Sequence, residues 1–172
     1  MKKYRNIAYA GMFAALCTVM LFIGSVLQTL DLTAAALGSF VVMIALIELG
    51  RPYALGVYAA ASVLSLLILP NKEPAVYFAL FSGYYPILKV ILNKIQPKAL
   101  SYVARVAVFD ISLAAIYLVF VYLLSIEADI TLLAIVLVIA ANAVFIVYDI
   151  AIEKASVLYV NKLRNHIFKG RR

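Results

Sequence analysis

Apolar runs follow one another along this chain with few interruptions, and no long polar stretch separates them. A helix that crosses the hydrocarbon of a bilayer needs about 20 mainly apolar residues. Six runs meet that need. They predict spans over about residues 7–27, 32–49, 53–69, 75–95, 100–125 and 130–151, followed by a basic tail over 152–172. The breaks carry helix-stopping chemistry: Gly50-Arg51-Pro52 after the second run, Pro70-Asn71-Lys72-Glu73-Pro74 after the third, and Pro97 after the fourth. The fold class expected is all-α: one domain over residues 1–172, a polytopic six-helix membrane bundle. Lys2, Lys3 and Arg5 resemble the positive flank of a secretory signal. The apolar run behind them, however, is longer than a signal needs, so it reads as the first span.

Charged residues then orient the bundle. With six spans, fourteen of the 15 Lys and Arg fall on one side, and Lys72 alone falls on the other. The Lys72 side also receives Asp31, Glu73, Glu127 and Asp129. Basic residues favour the cytoplasmic side of a membrane, so both termini are expected there. An odd number of spans would scatter the basic residues over both faces.

Composition agrees with the pattern. The chain of 172 residues is 67% hydrophobic and only 13% charged, where a soluble domain carries about a quarter. Its mean hydropathy is +1.07. The net charge of +7 does not point to nucleic acid, because the charges flank apolar runs instead of forming one basic face. They suit anchors near anionic lipid heads. Cys17 is the single cysteine, set in an apolar run, and His166 the single histidine, set in the basic tail. Neither a disulfide within the chain nor a Cys- or His-based metal site is expected. No paired-acid metal motif, Gly-rich phosphate loop or Ser–His pairing is present. The chain does not read as an enzyme and implies no cofactor.

Three features inside the spans invite attention. Ala10, Gly11, Ala14 and Ala15 set small residues at helical spacing on the first span, which permits close packing in lipid either against a partner or against the chain's own helices. A similar stripe, Gly56 with Ala59, Ala60 and Ala61, lies on the third. In the fourth span, Ser82-Gly83-Tyr84-Tyr85-Pro86 predicts a kink, since Pro86 lacks a donor and crowds the preceding turn. The carbonyls so released are met either by neighbouring helices or by a ligand. Ionisable residues within a membrane are costly and pair up. At 1.5 Å of rise per residue, Lys89 and Asp110 lie at one depth and Arg105 and Asp149 at another, so two interhelical pairs are expected. These are bundle glue, an ion path or a coupling surface. Asn142, near the middle of the last span, is an interhelical hydrogen bond or a substrate contact.

The run Arg5-Asn6-Ile7-Ala8-Tyr9-Ala10-Gly11-Met12-Phe13-Ala14-Ala15-Leu16, the turn from Glu48 to Gly56 and the six-span plan resemble the S components, the substrate-binding membrane subunits of energy-coupling factor transporters. The likeness covers most of the chain as topology. It implies a multi-pass subunit of a bacterial cell membrane that takes a vitamin-like solute from outside. It also implies docking through the first-helix stripe onto a transmembrane coupling subunit served by separate ATPases. Mapped by region, it nominates Tyr77, Ser82, Tyr84, Tyr117, Tyr122 and Asn142 for the substrate. Two other functions fit the same pattern: a non-transporting scaffold of an envelope or cell-shape complex, and an ion-coupled carrier built on Lys89, Asp110 and Asp149.

Overall fold

The computed structural model describes residues 2–27, 29–122 and 132–163. The expected end of the fifth span, the start of the sixth with Glu127 and Asp129, and the tail from Arg164 with His166 lie outside the described residues. The helices are α1 (Lys2–Leu27), α2 (Asp31–Leu49), α3 (Arg51–Ile68), α4 (Glu73–Tyr77), α5 (Tyr85–Leu92), α6 (Lys98–Tyr122) and α7 (Leu132–Leu158). Among the described residues there are no strands. A π-helical turn at Phe78–Ser82 joins α4 to α5, and together they form one candidate span. Another π-helical turn, Tyr159–Leu163, continues α7. Among the described residues, five stretches are long and apolar enough to cross a membrane: Lys3–Leu27, Asp31–Leu49, Arg51–Ile68, Glu73–Leu92 and Lys98–Tyr122. The long α7 adds a sixth stretch, with Asp149, Glu153 and Lys154 in its second half.

Gly50 makes the bend between α2 and α3. Its φ of 90° and ψ of 174° lie where only glycine is at ease. Its N–H closes α2 on the Leu46 carbonyl at 3.1 Å, and its own carbonyl accepts from the Ala54 N–H that opens α3. Pro52 stands in the first turn of α3, where a helix needs no donor. The Gly-Arg-Pro sequence therefore ends one helix and starts the next with no loop between them, so α3 begins two residues before the expected boundary.

Two cores hold the bundle. The first gathers α1 to α4 around Ala14, Cys17, Leu21, Val42, Val57 and Phe78. Small residues set its closeness. A β-carbon placed on Gly24 of α1 would stand 2.2 Å from that of Ala34, and one on Gly38 of α2 would touch the Phe78 ring and the Cys17 sulfur at 3.1 and 3.2 Å. The second core is aromatic and ties α2 and α5 to α6 and α7. Phe109 stacks on Phe145 at 4.6 Å, while Phe81 and Tyr85 meet Phe145 at 5.8 and 5.5 Å, near right angles. Edge-to-face and offset contacts of this kind add directional preference to apolar burial. Outside the cores the bundle turns large aliphatic side chains outward, among them Leu67, Ile111 and Val147, each about two-thirds exposed or more. Water does not tolerate apolar faces of that extent on a monomer, so the surface suits hydrocarbon.

Candidate functional site

The break in the α4–α5 stretch creates the first polar centre. Pro86 falls at the start of α5, where its missing N–H costs nothing, and the irregular turn lies just before it at Phe78–Tyr84. Gly83 is required by closeness: a β-carbon there would stand 2.6 Å from the Tyr58 ring and 2.8 Å from the Phe78 carbonyl oxygen. The loosened carbonyls find donors on neighbouring helices. Tyr58 of α3 donates to the Ala79 carbonyl at 2.7 Å. Tyr148 of α7 donates to Ser39 Oγ at 2.7 Å and approaches the Ser82 carbonyl at 3.4 Å. Ser82 itself donates to the Ala35 carbonyl at 3.0 Å.

Below that turn, Asp149 of α7 sits almost fully buried among three donors. The Tyr85 hydroxyl reaches its Oδ1 at 2.5 Å, Lys89 Nζ the same oxygen at 2.7 Å, and Arg105 Nη1 its Oδ2 at 2.7 Å. Lys89 also donates to the Asp149 main-chain carbonyl at 2.6 Å and meets the largely exposed Glu153 carboxylate at 3.3 Å. Two cations thus face two carboxylates, and the centre is neutral. One α7 side chain holds α5 and α6 together.

The expected pairs are thereby redistributed. Arg105 does meet Asp149. Lys89 turns to Asp149 and Glu153 instead of Asp110, because depth along a helix does not fix the face. Asp110 lies on an exposed face of α6 and accepts from Asn142 at 3.0 Å. Tyr85 and Glu153 were absent from the expected pairs. Tyr85 was legible only as a hydroxyl beside Pro86, and Glu153 only as a charge one helical turn beyond Asp149.

The side chains nominated for a substrate do not surround one space. Ser82 is buried against α2. Tyr84 shares a 2.7 Å hydrogen bond with Ser112. Tyr77 packs on Phe120 at 5.6 Å. Tyr117 and Tyr122 face outward from α6, and Asn142 holds Asp110. The first-helix stripe also divides. Ala14 is buried in the first core and Ala10 packs against it. Gly11 has nothing within 4 Å of its β position, and Ala15 is exposed. On α3, Gly56 is equally open, Ala59 and Ala60 are exposed, and Ala61 is buried.

A cleft of about 730 Å³ opens instead where α1 ends and α2 and α4 begin, lined by Ser25, Val26, Asp31, Pro70, Asn71 and Glu73. Its wall is stapled. Ser25 Oγ donates to the Asn71 carbonyl and accepts the Asn71 N–H, both at 2.9 Å, and Asn71 Oδ1 accepts the Glu73 N–H at 3.1 Å. Asp31 is 8% exposed, yet its Oδ1 has no hydrogen-bond partner. Lys72, in the adjoining turn, donates to the Leu69 carbonyl at 2.6 Å and forms no ion pair with Asp31 or Glu73 among the described residues. The cleft therefore carries two carboxylates without a matching cation. Among the described residues no group of three or more His, Cys, Asp or Glu is placed to hold a metal ion.

The class of protein defined so far is an all-helical chain with helices apolar enough to span a membrane. No protein-family model matches the chain, and neither a curated protein nor a solved structure is significantly similar to it.

Proposed function

We propose that this chain is a membrane-embedded binding subunit of the S-component kind, taking a small cationic solute at its acidic end for uptake powered by separate subunits. The observation that carries the reading is the cleft at Asp31. A buried carboxylate oxygen without a donor is costly, and an ammonium or guanidinium group supplies the donors and charge that are missing. The stapled Ser25–Asn71 wall offers a preorganised rim. By the distribution of basic residues this end faces outward, the side from which such a subunit receives its solute. Docking on a coupling subunit falls to the exposed small residues Gly11 and Ala15 of α1, with Gly56, Ala59 and Ala60 of α3 as the neighbouring small-residue face.

Thermal unfolding of the detergent-solubilised protein tests the solute. The panel is small molecules bearing primary, quaternary and guanidinium cations. One class is expected to raise the melting temperature, since ligand at about 100 times its Kd adds about 2.7 kcal/mol. Asp31→Asn is expected to abolish that rise. A flat response across the panel in the native chain rejects the cationic solute. It then favours the second reading, a non-transporting scaffold, which has its own support: Ser82, Tyr84 and Asn142 are satisfied within the bundle.

A further inference from the structure

We propose that the opposite, basic end of the bundle holds a phosphate group, in the cavity between the start of α6 and the end of α7. This cavity has a volume of about 890 Å³, and its lining includes Lys98, Ser101, Arg105, Ile150, Lys154 and Val157. It is independent of the acidic cleft and shares no lining residue with it.

Three observations converge on an anion. The first is an orphaned donor. Ser101 is 4% exposed, lines the cavity, and has an Oγ without any hydrogen-bond partner. A serine in a helix usually has the carbonyl one turn back as a fallback acceptor. Here the Pro97 carbonyl is taken by the Leu100 N–H at 3.0 Å and the Ser101 N–H at 3.4 Å. The second is position. Ser101 belongs to the first turn of the 25-residue α6, where the positive end of the helix dipole favours negative charge. The third is surplus charge. Arg105 is fixed by Asp149 through Nη1 and by the Ser101 carbonyl through Nε at 3.3 Å, and its guanidinium lies 4.2 Å over the Tyr102 ring. Glu153, also on the wall, is matched by Lys89. Lys98 and Lys154 make no ion pair among the described residues, so the cavity holds two cations beyond neutrality.

A phosphate oxygen accepts from the Ser101 hydroxyl while the two lysines balance its charge. Ile150 and Val157 give the cavity an apolar wall above this polar floor. The same chemistry is offered by an anionic phospholipid headgroup and by a soluble phosphate, and the test separates them.

The purified protein in a nonionic detergent is titrated with phosphatidylglycerol, with phosphatidylcholine and with inorganic phosphate, at constant ionic strength set by chloride. The readout is the melting temperature. Stabilisation by phosphatidylglycerol over phosphatidylcholine, with inorganic phosphate silent, supports the proposal with lipid as the source. Stabilisation by inorganic phosphate supports it with a soluble group. Ser101→Ala is expected to leave the ligand-free melting temperature unchanged, because its Oγ has no bond to lose, and to weaken binding about tenfold, the loss of one charge-assisted hydrogen bond. Lys98→Gln with Lys154→Gln weakens it at least as much. The proposal is overturned if neither phosphate source stabilises the protein, if chloride does as well, or if these variants bind as the native chain does.

Discussion

A carboxylate taken out of water keeps its charge only when donors replace the water, and Asp149 has three of them. The Tyr85, Lys89 and Arg105 side chains arrive from two other helices, so one residue fixes the relative placement of α5, α6 and α7. Removing it strands the buried Arg105 and leaves buried Lys89 only the exposed Glu153 as a counter-ion. Asp149→Ala is expected to destabilise the protein by about 3–5 kcal/mol, the usual cost of breaking a buried ion pair from one side. Combining Asp149→Leu with Lys89→Met and Arg105→Met removes the stranded charge and should recover most of that loss. Chemical unfolding in detergent measures both. A triple variant no more stable than Asp149→Ala would show that packing, not uncompensated charge, sets the cost. The charges themselves were legible in the sequence, since Lys, Arg and Asp inside apolar runs demand partners. The Arg105–Asp149 pair was legible too, but the partner of Lys89 was not. Lys89 and Asp110 share a depth, but Asp110 stands on the exposed face of α6.

Helix pairs pose the next question, because the small residues of the first span serve two purposes. α1 lies against α2 closely enough that Gly24 has no room for a methyl group. The obstruction is specific: Ala34 Cβ at 2.2 Å, with the next atoms at 3.5 Å or beyond. Gly24→Ala should therefore cost about 1–3 kcal/mol by overpacking, and Ala34→Gly in the same chain should restore much of it. The double-mutant cycle, read by unfolding midpoints, detects that coupling. Additive effects would mean that the two helices part elsewhere. The periodicity of small residues announced close packing, but it does not say on which side of a helix a neighbour stands. Ala10 and Ala14 turn inward, while Gly11, Ala15 and Gly56 look outward. The α4–α5 stretch behaves likewise. Pro86 and Gly83 announced a break, whereas its form follows from donors on other helices: Tyr58 on α3 and Tyr148 on α7 are placed to receive the released carbonyls.

At the scale of the whole molecule, among the described residues, carboxylates without a matching cation gather at one end, and Lys98 and Lys154, which make no ion pair, at the other. If the basic residues orient the bundle, reporters fused ahead of Met1 and behind Arg172 should both report the cytoplasm, and a cysteine introduced at Asn71 should react with an impermeant reagent from outside. A reporter behind Arg172 found outside would invert the assignment of both candidate sites. The apolar run lengths, the Gly and Pro breaks and the lopsided basic residues already determined the helical class, the approximate boundaries and the expected orientation, because those depend on local composition and on the thickness of hydrocarbon. Tertiary structure alone decided what the polar side chains do. The nominated residues Tyr84, Ser82 and Asn142 are engaged by Ser112, Ala35 and Asp110 on neighbouring helices, while Asp31 and Ser101, unremarkable in the sequence, keep buried oxygens without partners. Partnering depends on how helices distant in sequence rotate and cross, and a pattern read along one strand of chain carries no record of that rotation.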